Sequence, residues 1–254
     1  MAKQRVLVTA GASGIGREIA RAFSANGAAV FVCDIDADAL KELEEEIAGV
    51  KTGLCDVSKR QDVERMMTEC VQALGGLDAL VNNAGIAGPT APVEKVDPDE
   101  WDKVMAVDLT GTFDVTRLAI PHLKKSGAGV ILNMSSVAGR FGYANRSPYS
   151  TAKWGLIGFT KTLSIELGEY GIRANAILPG LVDGPRIQKV FEGRAKVSGK
   201  SVDEVKQGAM SIQSLKRMVD PKDIAALAVF LASDAAKSIS GQMLPIDNDM
   251  QQAS

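Results

Sequence analysis

The chain has 254 residues, 46% of them hydrophobic and 24% charged, with a net charge of −2 and one histidine, His122. That length holds one large α/β domain, or at most two small ones. The near-neutral charge gives no broad attraction to nucleic acid or anionic membrane, and one histidine removes most zinc sites and every Ser-His-Asp triad. Cys33, Cys55 and Cys70 are odd in number and lack metal-ligand spacing, so free thiols in a reducing compartment are expected, with no metal. Met1-Ala2-Lys3-Gln4 leads directly into a strand, so no secretory leader is expected, and no apolar run approaches the roughly 20 residues that span a bilayer. The expectation is a single-domain cytoplasmic protein.

Arg5 to Thr9 is a short apolar strand that enters Ala10-Gly11-Ala12-Ser13-Gly14-Ile15-Gly16, followed by a helical run to about Asn26. Strand, glycine turn and helix together point to a dinucleotide: glycines admit the pyrophosphate, and the helix N-terminus supplies N–H donors. Asp34 ends a second apolar strand, Ala28 to Cys33. A carboxylate there accepts hydrogen bonds from ribose hydroxyls and repels a 2′-phosphate, which favours NAD(H) over NADP(H). Asp36 reads as the N-cap of the next helix. Asp56, at the end of a third strand, either contacts the adenine amine or caps the helix that begins near Lys59. A fourth strand, Ala79 to Val81, runs into Asn82-Asn83-Ala84-Gly85, whose amides can serve the sheet centre and the ribose side. A long helical pattern covers about Pro98 to Leu123, and Gly129 to Ser135 is a fifth strand ending at Ser136.

The stretch Tyr149-Ser150-Thr151-Ala152-Lys153 then places a phenol and an ammonium one helical turn apart on one face. The ammonium stabilises a phenolate and so lowers a pKa that is ordinarily about 10. This helix runs to about Tyr170, and Ile172 to Leu178 is a sixth strand followed by Pro179-Gly180-Leu181-Val182. Residues 184–215 are charged, glycine-containing and weakly periodic, which suits a mobile lid, or else an irregular rigid excursion. Pro221 opens a helix over Lys222 to Ala232, and Gly241 to Asp247 closes the sheet. Repeated βα units imply an α/β fold: a doubly wound parallel β-sheet with helices on both faces, in one domain over residues 1–254.

TAGASGIG at 9–16, NNAG at 82–85, Ser136 with YSTAK at 149–153, and PG at 179–180 occur in one order and spacing. On these motifs the chain resembles the classical short-chain dehydrogenases/reductases over essentially its full length. The resemblance implies a Rossmann-type fold, a nicotinamide cofactor and a homotetramer built through the two long helices and the C-terminal strand. It makes Tyr149 the general acid/base, has Lys153 bind the nicotinamide ribose and lower the tyrosine pKa, and has Ser136 hold the substrate oxygen. It also lines the cofactor with Gly11, Ser13, Gly14, Ile15, Gly16, Asp34, Asp56, Val57, Asn83, Ala84, Gly85, Pro179, Gly180 and Val182.

Three positions depart from the family pattern. Its first glycine is Ala10. Its helix asparagine, whose main-chain carbonyl holds a water in the proton relay, is Asp108, and a carboxylate there alters local pKa values. The threonine after PG-x-V is absent, since Val182 is followed by Asp183-Gly184-Pro185. In the family, substrate residues come from the loop before the tyrosine and from the lid; here Arg140, Asn145, Arg146 and Arg186 fall there, with Arg194 further on. Guanidinium groups suit a small polar or anionic substrate, a hydroxy- or keto-acid derived from a sugar; alternatively they are solvated or bridge subunits. The expected reaction is NAD(H)-dependent interconversion of a secondary alcohol and a ketone. The alternatives are a 3-oxoacyl-thioester reductase and a non-catalytic NAD-binding protein. The chain is too short for the substrate domain of the larger epimerases and dehydratases.

Overall fold

The computed structural model describes residues 3–252. Among them, seven strands form one parallel sheet in the order β3-β2-β1-β4-β5-β6-β7. The strands are β1 (Arg5–Thr9), β2 (Ala29–Asp34), β3 (Lys51–Leu54), β4 (Ala79–Asn82), β5 (Val130–Met134), β6 (Arg173–Pro179) and β7 (Met243–Ile246). Helices α1 (Gly14–Ala25), α2 (Ala37–Glu46), α3 (Arg60–Leu74), α4 (Pro98–Met105), α5 (Thr112–Ser126), α6 (Ser147–Glu166), α7 (Pro185–Ser198), α8 (Val202–Ser211) and α9 (Pro221–Ala232) connect them. The doubly wound sheet is the architecture the repeated βα units call for. Strand order reverses between β1 and β4, so a crevice opens at the carboxyl ends of those strands.

The strands are continuous apolar runs because both faces of the sheet are covered. Val6, Val8, Val30, Val32, Val81 and Leu132 point to the layer of α1, α2 and α9. Leu7, Phe31, Leu80 and Ile131 alternate with them and meet α3, α5 and α6 on the other side. Each such side chain contributes about 1.5–3 kcal/mol by leaving water, which holds the strand ends, and so the crevice, in fixed register. Local signals set the helix starts. Asp36 accepts from the Ala39 N–H at 3.0 Å, as its N-cap reading requires, and Asp220 accepts from Lys222 N–H at 2.8 Å just before Pro221.

Two segments differ from expectation. The long helix after Pro98 is not one regular α-helix, because residues Ala106–Gly111 form a π-helical turn between α4 and α5. The 184–215 segment is not the irregular excursion of the alternative reading. It forms α7 and α8, with a Ser201–Glu204 capping box on α8 and a small apolar cluster that joins Phe191, Ala195, Val205 and Ala209 to Val137, Leu181 and Met250.

Candidate active site

The crevice is built from strand ends. After Thr9 the chain turns with Ala10 at φ +48°, so the position that resembles a family glycine does take a left-handed backbone, here carrying a methyl. Gly16 lies so close to this turn that a Cβ would sit 2.3 Å from the Ala10 carbonyl oxygen. Asn83 Nδ2 donates to the carbonyls of Thr9 and Ala10 at 3.1 and 2.9 Å, and Thr9 Oγ1 accepts from Asn83 N–H and Ala84 N–H at 3.0 Å each. The amide donors of Asn83 therefore tie β4 to the turn. Asn82 belongs to the sheet centre: its Nδ2 donates to Thr116 Oγ1 and Asn133 Oδ1, and Asn133 Nδ2 donates to Thr160 Oγ1 on α6.

On the adenosine side, Asp34 Oδ2 accepts from Ala12 N–H at 3.0 Å and Oδ1 accepts from Ile35 N–H at 2.8 Å, which fixes the carboxylate at the crevice mouth. Ile35 and Leu54, the register partner of Asp34, expose apolar surface beside it. A helix N-terminus at Ser13-Gly14-Ile15-Gly16, a carboxylate for a ribose diol and apolar walls for a base fit a dinucleotide. Asp56 does not cap α3, whose N-cap is Lys59; its carboxylate accepts from Ser58 N–H at 3.0 Å and Ser58 Oγ–H at 2.6 Å in the preceding turn. Val57 beside it is buried. Across the crevice, Gly180 N–H donates to Ile246, and Val182 pairs with Val219 at the approach to Gly184.

At the chemical centre, Ser136 ends the chain segment after β5, and its Oγ accepts from Ala138 N–H at 3.1 Å. The neighbouring Ser135 Oγ donates to the Lys153 carbonyl at 2.8 Å and so anchors α6, a role the sequence reading did not assign. Lys153 is buried, donates from Nζ to Met134 O at 3.1 Å, and stands 3.2 Å from Asp108 Oδ2. Asp108 is fully buried in the π-helical turn; its Oδ1 accepts from Ile86 N–H at 2.7 Å, and its main-chain carbonyl accepts from Thr112 Oγ1. Gly85 abuts this pair, 3.1 Å from each charged atom at its Cβ position.

Tyr149 lies among cations: its ring centre is 5.3 Å from the Arg146 guanidinium, 5.5 Å from Lys153 Nζ and 5.8 Å from the Arg186 guanidinium. Burial pushes its phenol up, but the Arg186 and Lys153 charges and a hydrogen bond with Ser136 outweigh burial and hold it below its ordinary 10.0. A base of that kind takes the proton of an alcohol, while Ser136 can donate to the substrate oxygen.

Of the expected substrate residues, the structure brings Arg146 and Arg186 to Tyr149. Arg146 is only 3% exposed, and it donates to Ala87 O at 2.6 Å and Thr90 Oγ1 at 3.0 Å, so it holds the 87–90 loop. Arg186, on the first turn of α7, is exposed and donates to Gly85 O at 3.2 Å. Arg140 instead sits over Phe141, 4.9 Å from its ring centre. Asn145 is a left-handed turn residue with φ +61° whose carbonyl accepts from Ala91 N–H.

Comparison with known proteins agrees with this geometry. A family model described as Enoyl-(Acyl carrier protein) reductase matches residues 9–250. A D-beta-hydroxybutyrate dehydrogenase of Cupriavidus necator is 41% identical over 95% of each chain. The chain belongs to the classical short-chain dehydrogenase/reductase family. A 3-oxoacyl-[acyl-carrier-protein] reductase of Thermotoga maritima is 34% identical over 96% of each chain. A crystal structure of NAD+-bound xylitol dehydrogenase superimposes with TM-score 0.92 at 29% identity, over 96% of this chain and 97% of that one. As a member of this family the chain is an oxidoreductase that interconverts CH–OH groups and carbonyls, which sets aside the non-catalytic alternative. Its cofactor is a nicotinamide dinucleotide, NAD(H) or NADP(H). When bound, that group accepts or returns the hydride.

Proposed function

We propose that the chain is an NAD(H)-dependent dehydrogenase of a small hydroxy acid, with Tyr149 as base, Ser136 as donor to the reacting oxygen, Lys153 on the cofactor ribose, and α7 and α8 as the lid. The observation that carries the anionic substrate is the pair of guanidinium groups, Arg146 and Arg186, within 6 Å of the Tyr149 ring centre. Arg186 has the exposed donors for a carboxylate, and Arg146 adds charge from a fixed place. The relative named for D-beta-hydroxybutyrate acts on such an acid. Asp34 supports NAD(H) through its place beside the ribose position. Exposed Phe113, Trp154 and Ile165 on α5 and α6, and Phe230 and Met243 on α9 and β7, support a homotetramer. No helix among the described residues is long and apolar enough to cross a membrane, and cytoplasmic location is part of this proposal.

The test has two parts. Fluorescence titration with NADH and with NADPH, repeated for Asp34→Ala, should show tighter NADH binding that the substitution relaxes. Initial rates with D-3-hydroxybutyrate and with its methyl ester should favour the acid at least about tenfold in kcat/KM, as a charge-assisted contact would. Arg186→Gln should erase that ratio. Equal rates for acid and ester would refute the anionic substrate. Tighter NADPH binding would instead favour the 3-oxoacyl-thioester reduction that the Thermotoga maritima relative is named for.

A further inference from the structure

The ammonium that lowers the tyrosine pKa in this family has a buried carboxylate beside it here. Asp108 Oδ2 lies 3.2 Å from Lys153 Nζ, makes no hydrogen bond, and shares its fully buried side chain with Oδ1 held by Ile86 N–H. Asparagine at this position leaves the ammonium's charge whole, whereas aspartate opposes it. A carboxylate 3.2 Å from the ammonium acts on Tyr149 with the opposite sign and offsets part of its effect. A second cation is in place. Arg186 extends from the start of α7 over the Tyr149 ring, and its Nη1 donates to the carbonyl of Gly85, the residue that abuts the Asp108–Lys153 pair.

We propose that Asp108 offsets part of the Lys153 charge in this chain, and that Arg186 is a positioning residue whose charge adds to it in stabilising the Tyr149 phenolate, so that the base is strongest while Arg186 is held at Gly85. The direction of each influence agrees. Among the groups acting on Tyr149, Arg186 precedes Lys153 in lowering its pKa, and Asp108 raises it. Of the remaining groups around Tyr149, Arg146 and Ser136 form a constant background, while Arg194 stands on α7 and moves with it. Arg146 is fixed to the 87–90 loop by two hydrogen bonds, Ser136 is fixed after β5, and Tyr143 stands beside Arg146 and Arg194. The consequence is a base whose strength follows the docking of a substrate-covering helix, where the family pattern ties it to a lysine on the rigid α6.

The chain contains three tyrosines, which makes the phenolate directly observable. Ultraviolet tyrosinate absorbance is followed against pH in the full-length protein, with Tyr149→Phe identifying the Tyr149 step. Arg186→Gln should move that step up by about one pH unit, the scale of an opposite charge at this range. Arg186→Lys should keep most of the wild-type value, Asp108→Asn should move it down, and the double variant should return close to wild type. An unmoved step in Arg186→Gln, an Arg186→Lys variant that matches Arg186→Gln, or an unmoved step in Asp108→Asn would each overturn the proposal. Asp108→Asn is nearly isosteric and Arg186 is exposed, so the folded protein is what titrates; near-ultraviolet circular dichroism confirms this for each variant. No substrate enters the measurement, so its failure and that of the hydroxy-acid reading are separate results.

Discussion

Ala10→Gly should stabilise the protein, although the same substitution almost anywhere else in a structured segment destabilises. Ala10 has φ +48°. A Cβ in that region costs about 1–2 kcal/mol, which glycine removes. Against this, glycine gives the unfolded chain about 0.4–1 kcal/mol of extra conformational freedom. The lost methyl is partly buried against the core under β1, worth about 0.4 kcal/mol at half of a fully buried methylene. The net is a gain of about 0.5 kcal/mol. Ala22 in α1 is a matched control, since it is also a partly buried alanine packed against the core. There Ala22→Gly loses a comparable methyl and about 1 kcal/mol of helix propensity, a cost of about 1.4 kcal/mol. The contrast of about 2 kcal/mol is well above the error of urea unfolding at constant slope. In melting temperature it corresponds to about 1–2 °C up for Ala10→Gly against about 3–5 °C down for Ala22→Gly. If both substitutions destabilise equally, the turn after β1 does not have a left-handed residue at Ala10 and the strain argument fails.

Two further outcomes follow from the same structure. Gly16→Ala should abolish cofactor binding in a fluorescence titration while the sheet still folds, because a Cβ 2.3 Å from the Ala10 carbonyl forces the start of α1 off the turn; retained affinity would show that the turn can yield. Burial pushes the Cys70 thiol up to about 12, against 9.0 ordinarily, so the unfolded chain gives up this proton first. Its contribution is therefore complete below about pH 9 and is lost by about 1.4 kcal/mol per pH unit from there towards 12. Denaturation at pH 8, 9.5 and 10.5 should show this slope reduced by that amount in Cys70→Ala, and an unchanged slope would mean that Cys70 is not protonated in the fold.

Much of the fold is legible because the sheet is covered on both faces. Runs such as Val6-Leu7-Val8 and Val130-Ile131-Leu132 are apolar at every position, and the glycines, asparagines and aspartates that end them mark the carboxyl edge where the crevice lies. The placement of Ser136, Tyr149 and Lys153 near one another was readable for the same reason, since a strand end and a single helical turn fix them almost locally. The π-helical turn was not, because an i to i+5 bond at Ala106–Gly111 leaves no mark in residue type. The α7–α8 pair was missed because its apolar positions pack into a small separate cluster and show only weak periodicity, although Pro185 and the Ser201–Glu204 box were visible start signals. The burial of Arg146 depends on Ala87 and Thr90, far away in the chain, so no local pattern could show that its guanidinium is taken up by a loop.

That last difference bears on how the site works. The groups around Tyr149 stand on different elements. Tyr149 and Lys153 are on α6, which is pinned by Ser135 to the Lys153 carbonyl and by Thr160 to the Asn82–Asn133 pair at the sheet centre. Such a chain of buried hydrogen bonds fixes a first set of side chains well. Arg186 stands one residue past Pro185, after Gly184 at φ +144°, on a helix that packs with α8 and, through Phe191 and Ala195, into a cluster with Val137, Leu181 and Met250. A hydrogen bond from Arg186 to Gly85 is one link between that helix and the centre, and it places the guanidinium over the phenol as it forms. On the proposed reading, the side chain that links α7 to Gly85 is also the one that brings charge to the phenol, so closing the site and activating it would be a single event.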